Sequence, residues 1–288
     1  MAEDALCYNF LSDERNTEFA LETIIMETLD LPAEKRGFAH RVKAEFTELK
    51  LLLRSIPSLL ISLLIVSVIT MNLLANKSIS LPVSWLALDC GVIVSWISFL
   101  SMDIITKHFG PKAATEASAV AVAINLLVCL FFFMAGKIPG MWGEAYVEGS
   151  EALLNGALDN TFSGTWYVLF GSTTAFLLSA VVNNFLNFGI GRLFQKAPDR
   201  FLAYACRTYI STAVGQFVDN LVFALIVSHF FFGWTMLQCV TCAITGMLVE
   251  LLCEILFSHL GYRICKKWKA ENVGSQYLYY VHKKKQER

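Results

Sequence analysis

Residues 114–136 have the sequence ATEASAVAVAINLLVCLFFFMAG, in which Glu116 is the only charged side chain. A helix of about 20 mainly apolar residues is long enough to cross the hydrocarbon core of a bilayer. Gly110-Pro111 precedes the stretch, and Lys137-Ile-Pro-Gly140 follows it. The segment therefore predicts a membrane-spanning helix with a defined start and end.

The rest of the chain supplies five more apolar stretches of similar length. They are residues 57–76, 82–103, 166–191, 203–230 and 234–262. Of the 288 residues, 56% are hydrophobic and 16% are charged, and the mean hydropathy is +0.54. A soluble domain of this size cannot bury so much apolar side chain. The sequence predicts an all-α integral membrane protein, a bundle of six transmembrane helices with an N-terminal cytosolic helical extension.

Lysine and arginine are distributed unevenly between the two sides of this bundle. Nineteen lie in the N-terminal flank, the second-to-third and fourth-to-fifth connections, and the C-terminal tail, whereas the alternate loops hold only Lys77 and Lys137. Loops on the cytoplasmic side of membrane proteins are enriched in these residues. We therefore expect a multi-pass protein of the cytoplasmic (inner) membrane with both termini in the cytoplasm.

Charge and hydropathy divide the chain into three predicted parts: an acidic extension with an interfacial helix (1–54), a six-helix membrane domain (55–265) and a basic cytosolic tail (266–288). Residues 1–34 hold nine acidic side chains and one basic one, which predicts no cleavable signal peptide. Residues 263–288 hold eight basic and two acidic ones. A basic tail beside a hydrophobic body indicates anionic lipid rather than nucleic acid as its partner.

Shorter helices are also predicted outside the spans. Leu21, Ile24, Ile25 and Leu29 form an apolar helical face in the extension, and residues 43–54 are expected at the cytoplasmic interface. In the outer loop 138–165, residues 151–158 are expected to form a short surface helix.

Polar side chains recur at helical spacing in three predicted spans. The sets are Trp85, Asp89, Trp96 and Asp103; Ser172, Ser179, Asn183 and Asn187; and Thr208, Thr212, Gln216 and Asp219. Such side chains usually face a bundle interior or an aqueous cavity, because they cost on the order of 3 kcal/mol each at bilayer depth. We expect the three stripes to converge, with Asp219 and Asn183 near the midplane, where transporters bind solutes.

Other interpretations remain open for several of these residues. Serine and threonine at helix contacts also serve as interhelical hydrogen-bonding groups, worth about 0.6 kcal/mol each. Asp103 and Arg207 are either a charge pair between two helices or solute contacts. Glu250 and Glu254 lie one turn apart in the last span, which fits either a proton-coupling role or pairing with Arg207.

No motif predicts catalysis, a cofactor or a metal site. The sequence has no GxSxG, no HExxH and no paired histidines, so the enzyme alternative is the weaker one. Cys239-Val-Thr-Cys242 is a lone CxxC and is interpreted as packing. The absence of a Walker motif leaves open a substrate-binding subunit that works with a separate ATPase module, and a homo-oligomer is also open.

Four blocks of sequence resemble the queuosine precursor transporter family, also described as vitamin uptake transporters (VUT). The blocks are Asn72-Leu-Leu-Ala-Asn-Lys77, Asp103-Ile-Ile-Thr-Lys-His-Phe-Gly110, Ser179-Ala-Val-Val-Asn183 and Arg207-Thr-Tyr-Ile-Ser-Thr-Ala-Val-Gly-Gln-Phe-Val-Asp-Asn-Leu-Val-Phe223. The last block is the most specific, and the resemblance extends over about 55–265. Departures from the family pattern are Lys107 in place of glutamate, Glu250 in place of lysine and His259 in place of proline.

The resemblance implies a six-helix carrier that imports deazaguanine bases for tRNA modification, with Asn183, Arg207, Gln216 and Asp219 as site residues. The residue chemistry fits a small purine-like substrate. A carboxylate such as that of Asp219 accepts hydrogen bonds from a guanine-type N–H and amine, and the Gln216 and Asn183 amides complement the carbonyl edge. An aromatic ring, Trp96 or Phe223, would stack on the base.

Overall fold

The structure is a computed structural model that describes residues 38–143, 149, 151–164, 166–193 and 201–286. These residues form helices and connecting turns, without a β-strand longer than an isolated bridge. The helices are α1 (Phe38–Ser55), α2 (Ser58–Leu74), α3 (Val92–Phe109), α4 (Pro111–Ala135), α5 (Glu151–Ser163), α6 (Trp166–Leu193), α7 (Phe201–Phe223), α8 (Met236–Ala270) and α9 (Ser275–Gln286). The all-α prediction is confirmed, whereas the apolar face at Leu21–Leu29 lies outside the described residues.

Several helical stretches are long and apolar enough to cross a bilayer. Five meet this requirement in the described part of the chain: Val92–Phe109, Pro111–Ala135, Ala152–Asn183, Tyr209–Phe232 and Met236–Phe257. Val42–Ser55 and Ser58–Leu74 add a sixth if this broken pair counts as one span. The predicted membrane bundle of about six spans is therefore confirmed, and a helix, α5, is present where residues 151–158 were expected to form one.

The second span does not begin where the hydropathy predicted. Residues 75–91 form a loop, in which the Ile79 N–H donates to the Leu88 carbonyl at 2.8 Å, and α3 runs from Val92 to Phe109 instead of over 82–103. Pro82 lacks a backbone N–H and disfavours helical geometry in the residue before it. The prediction that Trp85 and Asp89 share a helical face with Trp96 and Asp103 is thus wrong.

Asp89 lies at the start of α3. Its Oδ1 accepts the backbone N–H of Gly91 at 2.7 Å. The first N–H groups of a helix have no partner within the helix, so a carboxylate at this position satisfies one of them. The side chain that was expected to line the span therefore stabilises the beginning of α3.

The end of α7 departs from regular α-helical geometry. Ala224–His229 forms a π-helical turn, and one further turn, Phe230–Phe232, leads to Gly233. The Cys239 thiol of α8 donates to the Ala224 carbonyl at 3.5 Å. Beyond the π turn, the Phe231 ring stacks on Tyr167 of α6, with centroids 4.3 Å apart.

The lone CxxC pair lies in an apolar environment. Cys239 and Cys242 are free thiols, and both are buried in a cluster with Ala87, Ala224 and Trp234. This position agrees with the packing interpretation.

Contacts divide the chain into two compact units. Among the described residues, one unit contains those up to Ser58 together with those from Lys267 onward, and the other lies within Leu59–Lys266. In the first unit, the Tyr280 hydroxyl of α9 donates to the Ala44 carbonyl of α1 at 3.4 Å, and Lys284 forms ion pairs with Glu45 and Glu48. The predicted division at residues 54 and 265 stays a prediction.

Candidate functional site

The polar stripes of α6 and α7 face each other in the second unit. The Ser179 hydroxyl of α6 donates to Asp219 Oδ1 of α7 at 3.0 Å. One turn earlier on α7, Gly215 lies against α6, and a Cβ at this position would be 3.2 Å from the Cβ of Asn183. This distance is shorter than ordinary carbon–carbon contacts of about 3.5–4.0 Å, so a side chain at Gly215 would require Asn183 to shift by a few tenths of an ångström. Small residues at helix contacts in membranes permit this kind of packing.

Two amide side chains at this contact have hydrogen-bonding groups without a partner in the described part of the chain. Gln216 is only 2% exposed, and neither its Oε1 nor its Nε2 is hydrogen-bonded. The buried Oδ1 of Asn183 is likewise unpaired. Leaving buried polar groups unsatisfied costs about 1–3 kcal/mol each, so native structures seldom do so without a reason. A bound polar solute would supply the missing partners.

Glu250 of α8 contacts the same part of α7 that carries Gln216 and Asp219. It is 3% exposed, and its Oε2 accepts an N–H of the Asn220 amide at 3.0 Å. The second N–H of that amide reaches the Gln216 carbonyl, also at 3.0 Å. Ser95 of α3 interacts with the same carboxylate. Three helices therefore meet at one buried acid.

Gly246 makes the contact between α7 and α8 possible. A Cβ on Gly246 would lie 3.0 Å from both Cγ and Nδ2 of Asn220. Because Gly246 precedes Glu250 by one helical turn, the close approach at the glycine brings the carboxylate within hydrogen-bonding distance of Asn220.

A second acidic group lies further along α3 and α8. Glu254 is 7% exposed and interacts with Asp103, which forms an ion pair with Lys107 at 3.4 Å. No donor from the described residues reaches either oxygen of Glu254 within hydrogen-bonding distance. The side chain of Arg207 lies outside the described residues, so its predicted pairing with Asp103 or with the glutamates stays a prediction.

The two aromatic rings considered for stacking have protein neighbours. Trp96 of α3 stacks on Phe257 of α8, with centroids 4.4 Å apart and planes inclined by 12°. Phe223 packs against the apolar cluster of Ala75, Val168 and Val227. The Trp96 ring thus packs α3 against α8, and Phe223 is part of an apolar core.

Sequence reasoning missed Asn220 and Ser95 as members of the network. Asn220 follows Gln216 by four residues, which is one helical turn, so extending the stripe of α7 by one residue would have included it. Ser95 gave no comparable signal, because the polar stripe of the second span was assigned with the wrong start of α3.

Glu250 is close enough to Asp219 and Asp89 for electrostatic repulsion between the carboxylates. The interior therefore combines acidic groups from α7, α8 and the loop before α3 with unpaired amides from α6 and α7. Such a set offers hydrogen-bond acceptors that suit a small solute rich in donors.

Comparison with known protein families identifies one match. Residues 89–264, well over half of the chain, match the family model described as "Putative vitamin uptake transporter". No curated protein and no solved structure shows significant similarity to the chain. The matched segment contains Ser179, Asn183, Gln216, Asp219 and Glu250, together with the spanning helices that carry them. The chain therefore belongs to the vitamin uptake transporter family and is a multi-pass membrane transporter of the vitamin-uptake type.

Proposed function

We propose that this transporter imports a queuosine precursor, 7-cyano-7-deazaguanine or a related deazaguanine base, across the cytoplasmic membrane. Family membership supports solute uptake, and the resemblance of the Ser179–Asn183 and Arg207–Phe223 blocks supports the class of solute. Import proceeds by secondary or facilitated transport, with both termini in the cytoplasm. The imported base would feed tRNA modification.

The observation that carries the proposal is the unpaired amide pair, Gln216 and Asn183, beside the Asp219 carboxylate. Ser179 donates to Oδ1 of Asp219, and a guanine-type N–H and exocyclic amine can donate to the same carboxylate. The Gln216 Nε2 donates to a ring carbonyl, while the Asn183 Oδ1 accepts from a further N–H of the base. These are complementary groups for the polar edge of one planar base.

The other predicted site residues have supporting places in this proposal. The resemblance assigns Arg207 to the site, and Asp103 is either the charge partner of Arg207 or a further solute contact. Trp96, already stacked on Phe257, offers an aromatic surface that a base could extend or replace. Phe223 would act through the apolar packing at the end of α7.

The proposal is tested in a bacterium that lacks its own queuosine-precursor uptake and synthesis. Expression of the full chain should restore queuosine in tRNA when micromolar 7-cyano-7-deazaguanine is supplied. Asp219→Asn keeps the shape of the side chain but removes the negative charge, so it should reduce the restored level at least tenfold. Glu271→Gln, an exposed carboxylate-to-amide change after α8, is the matched control and should not alter it.

Membrane levels of each variant are measured by immunoblot. Full restoration by Asp219→Asn at equal membrane levels would refute the assignment of Asp219, and no restoration by the wild-type chain would refute the proposed solute. Purified protein in liposomes addresses the ATPase-dependent alternative. Transport by this chain alone excludes a need for an ATPase module.

A further inference from the structure

Glu250 is a buried acid in the apolar part of α8. It lies within the segment Met236–Phe257, whose composition suits a membrane span, and its side chain is almost inaccessible. Its ordered partners are the Asn220 amide of α7 and Ser95 of α3. The carboxylate is thus held in a defined position between helices, away from either helix end.

The charged and titratable groups that the structure describes around Glu250 do not offset a negative charge. Asp219 of α7 and Asp89 of the loop before α3 lie within electrostatic range of it, while Cys242, Cys253 and Glu254 lie on α8 itself. Among the side chains that the structure describes, no lysine or arginine forms an ion pair with Glu250. An ionised carboxylate in such a place is unfavourable unless a positive charge accompanies it.

The hydrogen-bond geometry favours a proton over a metal cation as that charge. An amide N–H of Asn220 points at Oε2, and donor hydrogens repel a cation placed beside the same oxygen. Na⁺ and similar cations need several oxygen ligands around them, whereas a proton needs one lone pair of one oxygen. Glu250 can provide that lone pair without displacing its partners.

Glu254, one turn along α8, differs in this respect. Lys107 acts electrostatically on its carboxylate and also pairs with Asp103. The positive charge of Lys107 therefore already offsets part of the negative charge on Glu254, unlike that on Glu250.

Glu250 is also connected to the proposed solute site. The Asn220 amide donates one N–H to Glu250 and the other to the backbone of Gln216, whose buried side-chain amide is unpaired. A change of charge on Glu250 therefore acts on the same turn of α7 that presents Gln216 and Asp219. Protonation of Glu250 and binding of a solute to the Gln216 amide are therefore coupled through the Asn220 side chain.

From these contacts we infer that Glu250 carries a proton that crosses the membrane together with the solute, so that import is a proton symport. The inference rests on the proposed import function. Glu250 binds one proton from the outer water, forming a carboxyl O–H bond while the solute binds. After reorientation, that bond breaks and the proton enters the inner water as the solute is released. No electron transfer and no other reactant is involved.

The test uses purified full-length protein in liposomes with radiolabelled 7-cyano-7-deazaguanine, which carries no net charge. Exchange of labelled for unlabelled base across the membrane, without any ion gradient, measures transport itself. A second assay imposes a pH that is one unit lower outside, with the membrane potential clamped at zero by valinomycin and equal K⁺. One coupled proton should then give about tenfold accumulation of the base inside, since one pH unit corresponds to a tenfold ratio.

Glu250→Gln keeps the hydrogen-bond acceptor for Asn220 but cannot carry the proton. Whatever rate of exchange it keeps, it should accumulate the base no further than equality of the two concentrations. Glu250→Asp keeps a carboxylate and should retain accumulation, and Glu271→Gln should behave as wild type. A pH-sensitive dye should also record one proton entering per molecule of base in the wild-type protein.

The outcomes separate the two proposals. No exchange by the wild-type protein would refute the import function, and the symport inference with it. Exchange without accumulation in the pH gradient, or accumulation driven by a Na⁺ gradient at equal pH, would overturn the symport inference alone. Equal accumulation by wild type and Glu250→Gln would overturn the role of Glu250. If Glu250→Gln also loses exchange, Glu250→Asp decides the question. Exchange by Glu250→Asp without accumulation of the base would overturn the proton-carrying role of Glu250.

Discussion

Replacement of Gly246 by alanine should separate α8 from α7 at the buried acid. The added Cβ would lie 3.0 Å from both Cγ and Nδ2 of Asn220, whereas relaxed contacts lie at about 3.5–4.0 Å. The Asn220 amide must therefore move by a few tenths of an ångström. Such a shift stretches its 3.0 Å hydrogen bonds to Glu250 and to the Gln216 carbonyl beyond the normal range.

The size of the effect follows from two opposing contributions. Overpacking of a filled interior typically costs about 1–3 kcal/mol, and a weakened hydrogen bond to a charged or polar partner adds about 1 kcal/mol. Alanine in place of glycine within a helix returns up to about 1 kcal/mol. We expect Gly246→Ala to lower the free energy of unfolding by about 1–3 kcal/mol.

Unfolding is followed in detergent with a thiol-reactive fluorophore, because Cys239 and Cys242 are buried in the folded protein. Gly156→Ala is the matched control. Gly156 is an exposed helical position in α5 where an added Cβ meets no atom within 4 Å, so this change should be neutral or stabilising.

A double variant gives the decisive result. Asn220→Ala removes the atoms that the new methyl group would strike. In that background Gly246→Ala should no longer destabilise the protein and should gain the helix propensity of alanine. An equal loss of stability from Gly246→Ala with and without Asn220 would refute the contact as its cause.

Three further predictions concern the site, the first unit and the orientation. Ser179→Ala removes the hydrogen bond to Asp219, worth about 1 kcal/mol, and should raise the half-saturating concentration in base exchange about fivefold; an unchanged value would contradict the Ser179–Asp219 contact. Lys284→Met removes the ion pairs with Glu45 and the buried Glu48, which should weaken the contact between α1 and α9 by about 1–3 kcal/mol. Amide hydrogen exchange in both helices should therefore become faster. Exchange at the wild-type rate would show that the ion pairs add no stability. Green fluorescent protein fused at the C-terminus should fluoresce, as it does when located in the cytoplasm, and a dark fusion that is fully translated would reverse the predicted orientation.

The spanning helices could be predicted from the sequence because lipid imposes a simple length and polarity requirement. Pro111–Ala135 and Trp166–Leu193 agree closely with the stretches expected from hydropathy. The start of α3 could not be found in this way. The apolar residues around Trp85 satisfy the hydropathy requirement, although Pro82 and the capping carboxylate of Asp89 favour a loop.

The contact between α6 and α7 was also accessible to sequence reasoning. Ser179 and Asp219 belong to polar stripes on otherwise apolar helices, and such stripes turn inward in lipid. The contact between Asn220 and Glu250 was not accessible, because a helix that is apolar on nearly every side gives little indication of its rotation. That rotation depends on Gly246, whose role appears only when the neighbouring helix is in place.

The π turn at Ala224–His229 places an extra residue in the last part of α7 relative to a regular α-helix. Each residue of an α-helix advances the direction of the side chains by about 100°. Shortening this turn by one residue, for example by deleting Ile226, would restore uniform α-helical pairing and swing the terminal phenylalanines to another side of the helix. Phe231 would then leave the ring of Tyr167, whose hydroxyl donates to Asn76 at the end of α2. The irregular turn thus sets the stacking of Phe231 on Tyr167, and a change in chain length there would also disturb the hydrogen bond between Tyr167 and Asn76.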